Sequence, residues 1–68
     1  MNKLQLSLEI YAPENIEKVC MVYKNLARTK VKKKRDTVEV IFTKCKYDVE
    51  ITKKEFENYL INIENTKQ

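Results

Sequence analysis

The chain is too short to build more than one hydrophobic core. It has 68 residues, and a chain of this size buries only about 60% of the surface that it exposes when unfolded. Ordering the chain costs roughly 1.5 kcal/mol per residue, which nearly cancels the gain from burial. We therefore expect one compact domain over residues 1–68, of marginal stability, and the length excludes a two-domain enzyme.

Several residue types that carry chemistry are missing, since the sequence has no His, no Gly and no Trp. Without histidine the chain lacks a general base that titrates near neutral pH, and without glycine it lacks a phosphate-binding loop. Its two thiols, Cys20 and Cys45, cannot complete a four-ligand zinc site, and in a reducing compartment they stay unpaired. The sequence therefore predicts a protein that is not an enzyme, with no catalytic residue, no metal and no cofactor.

Apolar runs of the length used for targeting are also missing. The first residues alternate between apolar and polar side chains and contain no secretion signal. No stretch approaches the roughly 20 apolar residues that span a bilayer. We expect a cytoplasmic protein with no membrane partner.

Strands are predicted where apolar and polar residues alternate. The first such segment is Leu4–Ile10, and another is Thr37–Thr43. Tyr47–Ile51 alternates over a shorter length and predicts a further short strand. Between these segments, Lys30–Arg35 is almost entirely basic, which predicts an edge strand protected by charge or one arm of a hairpin.

Two segments have helical spacing. The first helix is predicted to begin at Pro13, because proline suits the first helical position. Its apolar stripe consists of Ile16, Val19, Cys20, Tyr23, Leu26 and Ala27. Thr52–Glu55 has the spacing of a capping box and predicts the start of the second helix. The buried stripe of that helix consists of Phe56, Tyr59, Leu60 and Ile63.

The predicted order is β-α-β-β-(β)-α, and it favours an α+β fold. We expect a two-layer sandwich with a mostly antiparallel sheet and both helices on one face. The other face of the sheet would meet water or a partner, and it would carry Gln5, Ser7, Glu9, Glu39 and Thr43.

The positive charge is concentrated in one place. Lys30–Asp36 holds five positive side chains and one negative one, while the whole chain has a net charge of +4. A run of this kind has three interpretations: a solvated edge that resists aggregation, a phosphate-binding surface, or an edge that accepts an acidic, extended peptide. Nucleic acid is disfavoured, because the chain has only two arginines and no RNA-binding aromatic pattern.

In Glu9–Val19 an aliphatic strand ends in Tyr11 and a helix starts within three residues, followed by an aromatic residue at Tyr23. This segment resembles the opening of the small HxsD-like proteins. Glu55–Leu60 is similar to the acidic and aromatic helix that closes those proteins. The resemblance implies a non-catalytic accessory of radical-SAM enzymes that modify ribosomally made peptides. Its partners would be the precursor peptide, through its leader, the modifying enzyme, or both.

Together these considerations predict a binding module that takes up a peptide by strand addition along one of two edges, Lys30–Arg35 or Val38–Thr43. The expected site residues are Lys30, Lys32, Lys33, Lys34, Arg35, Val38, Val40 and Thr43. Two other hypotheses stay open at this point. One is a small basic nucleic-acid-binding or regulatory protein, and the other is a subunit of a homo-oligomer, which the marginal stability suggests.

Overall fold

The described part of the chain, residues 2–66 of a computed structural model, forms three strands and two helices. In chain order they are β1 (Lys3–Ser7), α1 (Pro13–Val22), β2 (Ala27–Lys33), β3 (Thr37–Cys45) and α2 (Val49–Thr66). Neither helix in this range has the length and apolar character needed to cross a membrane.

The strands form one antiparallel sheet in the order β1-β3-β2. Leu6 pairs with Val38, and Val31 pairs with Val40. Because both outer strands run antiparallel to β3, they run parallel to each other, with α1 as the connection between them. The α+β prediction is confirmed.

Both helices cover the same face of the sheet. Val19 of α1 and Phe56 of α2 are fully buried in one cluster with Val40 of β3. The Phe56 ring lies 5.3 Å from the Phe42 ring and 5.7 Å from the Tyr23 ring, measured between centroids. These two ring contacts join the helices to the sheet. Burying a phenylalanine side chain contributes about 1.5–3 kcal/mol to stability.

The first predicted strand and helix are both too long. β1 ends at Ser7, where its partner β3 begins at Thr37. Beyond that pair the chain turns, and the Ile10 amide donates to the Ser7 carbonyl at 3.1 Å. Similarly, α1 ends at Val22, because Ala27 is already paired with β3.

The predicted strand at Tyr47–Ile51 is wrong, since α2 already begins at Val49. The predicted capping box is wrong for the same reason, because Thr52 lies inside the helix. Both its amide and its hydroxyl donate to the Asp48 carbonyl at 2.9 Å. A buried threonine satisfies its hydroxyl in this way within a helix, and aspartate is a favoured residue type immediately before a helix.

Candidate functional site

Strand order decides which edges of the sheet are free. β3 is the central strand and is paired on both sides, and Val38 and Val40 are buried in the core. Strand addition along Val38–Thr43, one of the two expected edges, is therefore ruled out. Thr43 is exposed, but its hydroxyl donates to the Arg28 carbonyl across the sheet at 3.1 Å.

The other expected edge exists, but it begins and ends earlier in the chain than the predicted Lys30–Arg35. β2 runs from Ala27 to Lys33 and lies at the outside of the sheet. We call its unpaired side the β2 edge. Its seven residues include four cations and no acidic residue. These cations are Arg28, Lys30, Lys32 and Lys33.

The expected basic residues do not form one patch. Lys30 and Lys32 pair with Ile41 and Glu39, which places them on the open face of the sheet. Lys33 pairs with Val38 and therefore lies on the side of the helices.

Lys34 and Arg35 lie beyond the end of β2, in the turn to β3. The Lys34 amide donates to the Thr37 carbonyl at 2.8 Å. The Lys34 ammonium lies 4.0 Å from the Glu39 carboxylate, and a surface pair of this kind contributes about 0–1 kcal/mol. These two residues extend the positive charge but contribute nothing to the β2 edge itself.

An apolar groove lies between α1 and β2, beside Val31. It has a volume of about 250 Å³ and is lined by Glu17, Cys20, Met21, Lys24 and Val31. We call it the groove. Two of its apolar residues are exposed to solvent, Met21 to 65% and Val31 to 46% of their surface.

Cys20 lines the groove with a half-buried thiol. Burial raises the pKa of Cys20, the neighbouring Thr29 side chain partly opposes this effect, and the Glu17 carboxylate adds to it. A thiol with a raised pKa is a weak nucleophile. This half-buried thiol adds to the apolar contact surface of the groove.

Sequence analysis missed the groove. The helical spacing predicts that Cys20 belongs to the buried stripe of the first helix, and it predicts no role for Met21 or Val31. The useful signal was Val31, the single apolar residue in the basic run. Its pairing with Val40 places it on the face that the helices cover.

Within residues 2–66, no three His, Cys, Asp or Glu side chains are close enough together to hold a metal ion. What the β2 edge offers is unpaired strand backbone, positive charge and an apolar contact surface.

The comparisons with known proteins add no relative. No family model, no curated protein and no solved structure matches this chain.

Proposed function

We propose that this protein is a non-catalytic peptide-binding module that takes up an extended, acidic segment of its partner as a fourth strand on the β2 edge. The observation that carries this proposal is the combination of an outer strand rich in cations with an apolar groove beside it. In strand addition, the free backbone of an outer strand supplies hydrogen bonds that give affinity. Pockets beside that strand hold alternate side chains of the ligand and give specificity.

Side-chain alternation defines the ligand. Along an added strand, successive side chains point to opposite faces of the sheet. Those on the open face would meet Lys30 and Lys32, and those on the other face would meet the groove at Met21 and Val31. The preferred segment thus alternates acidic and apolar residues.

The lysines of β2 also protect this outer strand from aggregation. Lysines on an outer strand repel neutral or basic strands and so limit aggregation. They attract an acidic strand, because pairing neutralises the charge on both partners. The exposed apolar surface of the groove distinguishes the two roles, since protection from aggregation does not require it.

The resemblance of Glu9–Val19 to HxsD-like proteins supports a particular partner. It favours the leader of a ribosomally made precursor peptide, presented to a radical-SAM modifying enzyme. In that arrangement the chemistry belongs to the enzyme, and this chain supplies the contact.

Nucleic acid is the weaker alternative. The lysines of β2 divide between two faces, and Glu39 lies on the open face opposite Lys32. No aromatic residue of β2 or β3 lies on that face, so stacking of bases has no platform there.

The test uses a fluorescein-labelled octapeptide of alternating valine and glutamate. We expect Lys30→Glu combined with Lys32→Glu to weaken its binding at least about tenfold, because two attractive contacts become repulsive. Fluorescence anisotropy in about 0.15 M salt, where the Debye length is about 8 Å, measures the affinity.

The matched control makes the same change in net charge elsewhere, with Lys18→Glu and Lys54→Glu on the exposed faces of the helices. We expect its affinity to stay within about twofold of the native protein, since neither residue belongs to β2 or lines the groove and exposed charges are screened. Equal losses in both variants, or binding of duplex DNA in preference to the peptide, would contradict the proposal.

A further inference from the structure

A second concave surface lies at the beginning of β2 and is mainly positive. It has a volume of about 320 Å³, and its lining includes Lys24, Asn25, Arg28, Lys44, Cys45 and Lys46. We call it the basic pocket. Four of its lining residues are cations and none is acidic.

The turn after α1 brings this pocket together. The amides of Leu26 and Ala27 both donate to the Tyr23 carbonyl at 2.8 Å, which folds the chain back and places Lys24 beside the start of β2. The Lys46 amide donates to the Leu26 carbonyl at 2.8 Å. The end of β3 is thus held against the same turn.

A bulge completes the pocket. The register between β2 and β3 shifts between Arg28 and Thr29, and Arg28 pairs with Lys44. Bulges change the direction of side chains locally. Here the bulge places two cations opposite each other, where a regular pair would favour opposite charges.

The positive charge of the pocket is not balanced within the described residues. Across residues 2–66, no carboxylate lies within 4.0 Å of the charged groups of Lys24, Arg28, Lys44 or Lys46. Like charges held together raise each other's energy. A concave surface of one sign also concentrates ions of the opposite sign.

The basic pocket continues the groove, because Lys24 lines both. Val31 in the groove and Ala27 in the pocket are four positions apart, which is roughly 13 Å along a strand. When one side chain of a segment paired with β2 fills the groove, a residue about four positions along the same segment therefore lies beside the basic pocket.

We infer that the basic pocket binds carboxylate side chains of the same segment that pairs with the β2 edge, about four positions beyond the residue that fills the groove. This inference rests on the proposed function. It adds a second recognition element, because the ligand must be acidic at one end as well as along its length.

The experiment compares two peptides that share the valine and glutamate octapeptide as their centre. One carries two glutamates at each end, and the other carries two glutamines at each end, so the comparison does not depend on the direction of binding. We expect the native protein to bind the glutamate-ended peptide about tenfold more tightly, since charged contacts form in the basic pocket. We expect Lys44→Gln combined with Lys46→Gln to abolish this preference.

The control variant, Lys18→Gln with Lys54→Gln, removes two charges from exposed positions on the helices, outside the β2 edge and the basic pocket. The preference should survive in it. Loss of the preference in the control variant, or equal persistence in both variants, would overturn the inference. Binding of the glutamine-ended peptide reports on the β2 edge alone, so a failure of the proposed function would show separately, as absence of binding by either peptide.

Discussion

At the scale of single residues, burial controls how the core responds to pH. Burial raises the pKa of the Tyr23 hydroxyl, with further contributions from Glu55 and Tyr59. A group whose pKa is raised by folding keeps its proton to a higher pH in the folded state. Its contribution to stability is complete below the usual tyrosine pKa and is lost as pH rises through the raised value.

The domain should therefore lose stability in alkaline solution. We expect the free energy of unfolding to fall from about pH 10 upward because of Tyr23, and to begin falling near pH 9 because of the Cys20 thiol. Tyr23→Phe keeps the ring contacts and removes the hydroxyl, so its free energy of unfolding should fall less steeply. Urea unfolding between about pH 7 and about pH 11 measures this difference, and identical slopes for the two proteins would contradict it.

At the scale of elements, one carboxylate of α2 holds the N-terminus of α1. Ala12 precedes the helix and has no side chain that can cap it. The Glu64 carboxylate of α2 accepts a hydrogen bond from the Ala12 amide at 2.8 Å and another from the Asn15 side chain at 2.8 Å. A negative charge at this end of a helix is also favourable.

We expect Glu64→Ala to lower the free energy of unfolding by about 1–3 kcal/mol, because Asn15 is buried and would lose its partner. Glu64→Gln keeps one acceptor oxygen and should cost less. Glu9→Ala, in the exposed turn after β1, is the control and should change stability by less than about 0.5 kcal/mol. Urea unfolding compares the three variants, and a loss in Glu9→Ala as large as that in Glu64→Ala would contradict this account.

The sequence predicted the elements well where the pattern was local. The alternation in Thr37–Thr43 and the basic character of β2 led to the correct strands. The ends of β1 and α1 were wrong because pairing with β3 sets them, and that pairing is not local. Tyr47–Ile51 was misassigned because five alternating residues fit a strand as well as the first turn of a helix.

At the scale of the whole molecule, strand order determines the candidate site. Val38–Thr43 looked as suitable as β2 for strand addition, and only the central position of β3 excludes it. Met21 and Val31 are ten positions apart in sequence and line one groove only because α1 lies beside β2. The sequence narrowed the candidate site to two strands, but the choice between them and the groove beside β2 follow only from the strand order and the packing of α1.

Glycine-free turns also belong to this scale. No residue in the range 2–66 has a positive φ, so the turns between the elements form without the conformation that favours glycine. They use hydrogen bonds such as those from Leu26 and Ala27 to Tyr23. The basic pocket is a product of one such turn.

The central claim is that the β2 edge accepts an added strand, and hydrogen exchange of the backbone amides tests it most directly. With the valine and glutamate octapeptide bound, outward-facing amides within Ala27–Lys33 should exchange at least about tenfold more slowly, because they become hydrogen-bonded. Amides of Lys3–Ser7, on the opposite edge of the sheet, should be unchanged. Slower exchange at Lys3–Ser7 instead, or unchanged exchange in Ala27–Lys33 while the peptide is bound, would contradict the claim.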